Sequence, residues 1–123
     1  MEKKRILIVD DERAIRMSMI VALKSDNCEI DVAENGVQAI GYIDKMPYDL
    51  IITDYSMPEM DGLELSKIVK SRYPATPVLM VTANESIREL MEGNKATYFP
   101  KPFKVIELQK RVAEILEGMG AET

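Results

Sequence analysis

Several acidic and polar side chains in this sequence directly follow short apolar runs. The runs end near Val9, Thr53, Val81 and Phe99, and the side chains that follow them are Asp10 and Asp11, Asp54, Thr82, and Lys101. Apolar runs that stop at a polar residue are typical of strands buried on both faces of a sheet. Because ligands bind outside the carboxyl ends of the strands in open α/β sheets, we expect these groups to converge on one edge.

The expected cluster combines three carboxylates with an ammonium and a hydroxyl group. Each residue alone is more simply explained as a cap or a solvated charge, so only their joint placement indicates a site. Crowded carboxylates repel one another unless a cation lies among them, and oxygen ligands of this kind suit Mg²⁺. Lys101 supplies a charge for phosphate oxygens, and Thr82 supplies a hydroxyl donor. With Asp54 as nucleophile, these are the parts needed for phosphoryl transfer to or from a carboxylate.

The segments between these residues alternate strand and helix patterns. Apolar spacing predicts helices at about 14–25, 35–45, 61–72, 86–93 and 105–117, and a further, edge-ward strand at 29–33. Five strands and five helices in alternation, joined by right-handed crossovers, predict a parallel sheet with helices on both faces.

For two of these helices, the apolar spacing predicts which residues face the core. The inward residues of the second helix are expected to be Val37, Ile40 and Gly41. The apolar stripe of the last helix is expected to comprise Val105, Leu108, Val112, Ile115 and Leu116, with Gly118 and Gly120 ending the helix.

The composition narrows the class of protein. A chain of 123 residues, 46% hydrophobic, fits one domain over 1–123 with a core of about 5–117. The net charge of -5 argues against binding nucleic acid or an anionic membrane. No apolar run is long enough for a signal or membrane segment, which predicts a cytoplasmic protein. With one cysteine and no histidine, the chain has no internal disulfide, no Ser/His or Cys/His catalysis and no phosphohistidine of its own.

Five separated motifs make the chain resemble the response-regulator receiver domains of two-component signalling. They are Val9–Glu12, Asp54 with Met57–Pro58, Asp61–Gly62, Val81–Ala83 and Lys101–Phe103. The resemblance runs from Ile6 to about Glu117. It implies a flavodoxin-like (βα)5 fold, a doubly wound parallel five-stranded sheet in the order 2-1-3-4-5.

The resemblance also implies roles for the residues of the acidic cluster. Asp54 would be the phosphoacceptor. Asp10 and Asp11 would hold Mg²⁺ together with Asp54 and the backbone carbonyl of Ser56.

Three further residues receive roles from the same resemblance. Lys101 would pair with the phosphoryl group, and the Lys101–Pro102 peptide would be cis. Thr82 would close on the phosphoryl group, and Tyr98 would be the aromatic residue that turns inward when Thr82 does so.

The implied partners follow from this chemistry. The phosphoryl group would come from a partner histidine kinase or phosphotransfer protein, and a downstream effector domain or protein would receive the signal. The resemblance also allows a homodimer on phosphorylation. The chain would catalyse only its own aspartyl phosphorylation and dephosphorylation.

The chain departs from the family pattern between Thr82 and Lys101. That segment is about one helical turn shorter than is usual, and Pro100 removes a backbone donor from the fifth strand. Family members commonly use the face made by the fourth helix, the fifth strand and the fifth helix for output. The resemblance is therefore least informative about the output surface.

Two other functions compete with a phosphorylated switch. A haloacid-dehalogenase-like phosphatase also uses a strand-end Asp, Mg²⁺ and Lys, but it needs a second Asp where Ser56 stands. A receiver-like binding module would keep the fold without taking phosphate. The sequence leaves open whether the chain is a stand-alone receiver or part of a longer regulator.

Overall fold

The computed structural model describes residues 3–84, 86–87 and 98–118, and within them the chain forms one five-stranded sheet. The strands are β1 (Lys4–Val9), β2 (Cys28–Ala33), β3 (Leu50–Thr53), β4 (Val78–Thr82) and β5 (Tyr98–Pro100). Every pairing is parallel, and the order is β2-β1-β3-β4-β5. This is the predicted flavodoxin-like sheet. After β2 the chain crosses back over β1, and β3, β4 and β5 follow in order on the other side of β1.

Four helices connect and cover the strands in the described part of the chain. They are α1 (Arg13–Leu23), α2 (Gly36–Ile43), α3 (Gly62–Arg72) and α4 (Val105–Leu116). Of the further helix predicted at 86–93, only Ser86 and Ile87 are described, and Thr97 of the fifth predicted strand also lies outside the described residues. Helices α1 and α2 end at Leu23 and Ile43, about two residues before the predicted ends.

The core has two apolar layers because successive side chains of a strand point to opposite faces of the sheet. One layer joins Ile6, Ile8 and Ile52 to residues of α1 and α4, including Met19 and Leu108. The other layer joins strand residues to α2 and α3, and its members include Leu7, Val9, Ile51, Ala39 and Leu65. Since β1 and β3 are covered on both faces, their apolar side chains have almost no exposed surface.

The predicted inward face of α2 is wrong in two of its three residues. Val37 is 59% exposed and Gly41 is exposed, while Ile40 is half-buried. The buried residues of α2 are Gly36, Ala39 and Ile43. Ile40 packs against the same core layer as Ala39 and Ile43, so the inward face is turned away from Val37. Gly36 permits a close approach to Met60, because an added Cβ would lie 2.6 Å from the sulfur of that residue.

The predicted stripe of the last helix needs one correction. Leu108 and Val112 are buried, and Ile115 and Leu116 pack against the same layer. Val105, the first residue of α4, is 48% exposed instead. Helical spacing placed Val105 on the inward face, but this residue lies in the first turn, beyond the end of the apolar surface on which the helix packs. Gly118, with a φ of +72°, follows the helix, and Gly120 lies outside the described residues.

The helices of the described residues are all too short or too polar to cross a lipid bilayer. The longest of them, α4, has 12 residues. About 20 apolar residues are needed for a helical span.

Candidate functional site

Parallel pairing brings the carboxylates of β1 and β3 together. Val9 lies opposite Thr53 in the register, and the backbone N–H of Asp54 donates to the carbonyl of Val9 at 3.0 Å. Asp10 and Asp54 are therefore neighbours just beyond the ends of the two central strands. One carboxylate oxygen from each of Asp10, Asp11 and Asp54 lies within 4.8 Å of the other two. The predicted acidic cluster is present at the carboxyl edge of the sheet.

Asp10 is the buried member of this cluster, with no exposed surface. Its Oδ1 accepts from the backbone N–H of Glu12 at 2.9 Å, and its Oδ2 accepts from Lys101 Nζ at 3.0 Å. Its carbonyl accepts from Arg16 Nη1 at 2.6 Å. Burial raises the pKa of Asp10 above its usual value, although the hydrogen bonds from Glu12 and Lys101 act in the opposite direction.

Lys101 joins the two strand-end acids. Its Nζ lies 3.0 Å from Asp10 Oδ2 and 3.4 Å from Asp54 Oδ2, and its side chain is only 12% exposed. Burial alone would lower the pKa of Lys101, but the hydrogen bond to Asp10 and the attraction of both carboxylates outweigh it, and the pKa is raised. Its backbone N–H donates to the carbonyl of Thr82 at 2.9 Å, and the Lys101–Pro102 peptide is cis, as the resemblance implied.

Asp54 is 7% exposed, and the neighbouring backbone fixes one of its carboxylate oxygens. Its Oδ1 accepts from the N–H of Tyr55 at 2.7 Å, and its carbonyl accepts from the hydroxyl of Thr53 at 2.9 Å. The remaining oxygen, Oδ2, is the one that faces Lys101. The carboxylate therefore has one oxygen fixed by a backbone donor and one beside a cation.

The loop after Asp54 returns tightly to the start of α3. Asp61 caps α3 with a full capping box shared with Glu64. Gly62 lies against the backbone that follows β3: an added Cβ would lie 2.2 Å from the carbonyl oxygen of Asp54. The turn also places Glu59 at a φ of +71°, in the left-handed region that favours glycine.

The other predicted site residues lie around this centre. Thr82 is 1% exposed, and its hydroxyl accepts from the N–H of Asn84 at 3.2 Å. Ser56 is exposed, two residues after Asp54. Tyr98 is half-buried and packs with Met80 and Ile87, one strand away from Asp54.

Sequence reasoning missed two side chains that hold the site. Thr53 was treated only as the end of an apolar run, and Arg16 only as part of a helix. The signal for Thr53 was a hydroxyl in a strand whose other residues, Leu50, Ile51 and Ile52, are all apolar. No comparable signal marked Arg16, because surface arginines are ordinary in helices.

The cluster suits a hard divalent cation. Three carboxylates and one lysine leave an excess of negative charge, and two of the carboxylates, Asp10 and Asp54, are buried. All the acidic groups offer oxygen atoms as ligands. Such a set matches the preference of Mg²⁺ for carboxylate oxygens, and Asp11 is exposed enough to admit an ion with part of its water shell.

The acidic cluster and Lys101 lie at the carboxyl edge of a flavodoxin-like sheet, which is where open α/β proteins bind their ligands. The sequence model of the family described as "Response regulator receiver domain" matches residues 6–113, and the chain belongs to this family. It is therefore a receiver domain of a response regulator in two-component signalling.

Several known proteins are similar to this chain. Response regulator MprA of Mycobacterium sp. (strain KMS) is 36% identical over 115 residues, which cover 91% of this chain and 50% of MprA. The chain thus spans about half the length of the curated relatives it matches.

Solved structures that are similar in both fold and sequence include the following two. TrrA of Thermotoga maritima, solved in complex with Mg(2+)-BeF, is 34% identical with a TM-score of 0.83, over 91% of this chain and 98% of that one. The chemotaxis response regulator CheY4 of Vibrio cholerae is 33% identical with a TM-score of 0.80, over 92% and 98%.

Proposed function

We propose that this chain is a phosphorylatable switch in which Asp54 accepts a phosphoryl group from a partner histidine kinase or phosphotransfer protein. The observation that carries the proposal is the position of Lys101 Nζ, 3.0 Å from Asp10 Oδ2 and 3.4 Å from Asp54 Oδ2. A lysine beside a strand-end carboxylate can meet the charge of an incoming phosphoryl oxygen without a large movement.

In this proposal Asp54 acts as the nucleophile. A carboxylate oxygen of Asp54 forms a bond to phosphorus while the bond from phosphorus to the donor's imidazole nitrogen breaks, and the imidazole leaves with the electron pair. Lys101 then pairs with an oxygen of the transferred group. The hydrogen bond from the N–H of Tyr55 to Asp54 Oδ1 orients the carboxylate during this step.

Mg²⁺ is the proposed cofactor. Asp10, Asp11, Asp54 and the backbone carbonyl of Ser56 would hold it, as the excess of carboxylate oxygens over cationic side chains supports. When bound, the ion would offset the charge of the carboxylates and of the phosphoryl oxygens.

The signal is proposed to leave the site through Thr82 and Tyr98. Thr82 would turn its hydroxyl to the phosphoryl group and give up its bond from Asn84, and Tyr98 would turn inward. A downstream effector domain or protein, or a second copy of the chain, would recognise the changed surface. We place this switch in the cytoplasm, as a single domain over 1–123.

The test uses intact-protein mass spectrometry after treatment with Mg²⁺ and acetyl phosphate. The chain should gain the mass of one phosphoryl group, and Asp54→Asn should gain none because no other residue replaces the nucleophile. Asp26→Asn, a change to an exposed acid before β2, is the matched control and should gain the same mass as the parent. An unmodified parent, or a modified Asp54→Asn, would contradict the proposal.

A further inference from the structure

Thr53 places a hydroxyl group where the fold needs only an apolar side chain. It is the last residue of β3 and has no exposed surface. Valine has nearly the same shape, so packing alone does not call for the hydroxyl. Burying a hydroxyl is unfavourable unless it forms a hydrogen bond, and the buried side-chain nitrogen and oxygen atoms of the described residues all have partners.

The partner of this hydroxyl is the backbone of the phosphoacceptor. Thr53 Oγ1 donates to the carbonyl of Asp54 at 2.9 Å, and its other contact, to Met57 Sδ at 3.9 Å, is longer and involves a weaker acceptor. The Asp54 carbonyl and the N–H of Tyr55 belong to one planar peptide unit. That N–H is the donor to Asp54 Oδ1, at 2.7 Å.

One peptide plane therefore connects the Thr53 hydroxyl to the Asp54 carboxylate. Gly62 confines the same plane from another direction, since an added Cβ would lie 2.2 Å from the Asp54 carbonyl oxygen. A rotation of the plane would break the bond from Thr53 and remove the Tyr55 donor from Oδ1 together. The carboxylate could then turn, and Oδ2 would lose its place 3.4 Å from Lys101 Nζ.

We propose that Thr53 is a positioning residue for the phosphoacceptor: its hydroxyl fixes the Asp54–Tyr55 peptide and so the orientation of the Asp54 carboxylate. This inference rests on the proposed phosphorylation of Asp54. Thr53 does not contact the phosphoryl group, and it acts only through the peptide that it holds.

Two substitutions separate this role from simple packing. Thr53→Val keeps the shape and removes the hydroxyl, while Thr53→Ser keeps the hydroxyl and removes a buried methyl group. Thr53→Val should fold with a lower free energy of unfolding than the parent, because the buried Asp54 carbonyl loses its hydroxyl donor. Its rate of phosphorylation by acetyl phosphate should fall about 10-fold or more. Thr53→Ser should also be less stable than the parent, because it leaves a cavity, but it should keep a rate close to that of the parent.

A second measurement needs no phosphorylation. In the metal-free protein, the amide proton of Tyr55 reports the bond to Asp54 Oδ1 through its NMR chemical shift and its exchange rate. Thr53→Val should shift this resonance and speed its exchange, and Thr53→Ser should leave both near the parent values.

The outcomes are distinct. The positioning role is supported if Thr53→Val is phosphorylated slowly and has a shifted Tyr55 amide resonance, while Thr53→Ser is phosphorylated at close to the parent's rate. A Thr53→Ser that is phosphorylated as slowly as Thr53→Val would overturn it, as would a Thr53→Val with the parent's rate and the parent's Tyr55 resonance. Failure of the parent itself to gain a phosphoryl group would instead refute the proposed function.

Discussion

Asp10 and Asp11 are adjacent in the chain but differ in their surroundings. Asp10 is buried, and each of its carboxylate oxygens already accepts a hydrogen bond. Asp11 is exposed, and its carboxylate lies near those of Asp10 and Asp54. Without a cation, Asp11 therefore adds repulsion to the cluster and little packing. With a cation, it is the acid best placed to bind from the solvent side.

Removing the Asp11 carboxylate should separate metal binding from stability. Asp11→Ala should weaken Mg²⁺ binding by about 10-fold or more, measured by calorimetry. In EDTA its free energy of unfolding should equal the parent's or exceed it by less than ~1 kcal/mol, because repulsion between exposed charges is small. Asp26→Asn serves as control for the loss of one exposed acid. A clearly less stable Asp11→Ala in EDTA would show that Asp11 has a structural role instead.

Glu59 holds a backbone conformation that suits glycine better. Its φ of +71° costs roughly 1–2 kcal/mol for a residue with a Cβ, and the greater freedom of glycine in the unfolded chain offsets about half of that. Glu59→Gly should therefore raise the free energy of unfolding by about 0.5–1 kcal/mol in urea titrations. Glu59→Ala keeps the Cβ and should give no such gain. An equal gain in both variants would attribute the effect to the lost charge.

The sequence could identify the reacting side chains but not how they are held. Asp10, Asp54 and Lys101 follow apolar runs, and a parallel sheet must bring such positions together, so their convergence was predictable. The left-handed turn at Glu59 and the bond from Thr53 to the Asp54 carbonyl depend on the path of one loop. Nothing in residue type alone fixes that path.

At the scale of the elements, the first turn of α3 is pressed against the end of β3. The N–H of Gly62 donates to the carbonyl of Tyr55 at 2.8 Å, and the place of its missing side chain is filled by the Asp54 backbone. Gly41 is the opposite case, since it lies in α2 with nothing within 4 Å of an added Cβ. The two glycines therefore provide a matched pair for the same substitution.

Alanine should have opposite effects at these two positions. Gly62→Ala should lower the free energy of unfolding by about 1–3 kcal/mol, because the new methyl group must displace backbone. Gly41→Ala should raise it by about 0.5–1 kcal/mol, because alanine loses less freedom in a helix and meets no neighbour. Urea unfolding of both variants tests the pair. A Gly62→Ala as stable as the parent would mean that α3 can move away from β3 at little cost.

Helix existence was easier to predict than helix orientation. The helices predicted at 35–45 and 61–72 are both present, and Asn35 and Asp61 cap them, each accepting from the backbone N–H three residues later. The predicted face of α2 was wrong because the helix has apolar residues on more than one side: Gly36, Ala39 and Ile43 are buried, while Val37 is 59% exposed. That choice belongs to packing between elements, which local spacing does not record.

For the molecule as a whole, β4 and β5 connect the acidic cluster to the edge of the sheet. Thr82 ends β4, and Met80 two residues earlier lies opposite Tyr98 in the register with β5. Tyr98 packs on Met80 and Ile87, which are buried. A movement of Thr82 toward Asp54 would therefore be transmitted to Tyr98 through one pair of neighbouring strands.

Replacing Thr82 should uncouple phosphorylation from this response. A charge-assisted hydrogen bond is worth ~1.5–3 kcal/mol, enough to change a two-state balance by roughly one to two powers of ten. Thr82→Ala should still gain a phosphoryl group at Asp54. With beryllofluoride as the phosphoryl mimic, however, its NMR shifts over residues 98–103 should change less than the parent's.

Thr82→Ser is the control, because it retains the hydroxyl and should respond as the parent does. If residues 98–103 of the parent stay unchanged while the mimic is bound at Asp54, the chain does not switch in the proposed way. If Thr82→Ala responds as fully as the parent, another group carries the signal.

The global topology was the most predictable level of the structure. Apolar runs at strand length, alternating with helical spacing, leave few arrangements other than a parallel sheet with helices on both faces. The stretch from Thr82 to Lys101, where the chain departs from the family pattern, was the least predictable. There the described residues show a three-residue strand, Tyr98–Pro100, that includes a proline.

Pro100 also limits how a further strand can pair with the outer edge of β5. Neighbouring residues of a strand point their backbone groups to opposite sides, and Lys101 donates toward β4, so the donor that Pro100 lacks would have faced away from the sheet. The proline costs the ladder with β4 nothing, yet a foreign strand at this outer edge would find an acceptor without its matching donor. Extension of the sheet from chain to chain, the route to fibrils, is thus discouraged at β5.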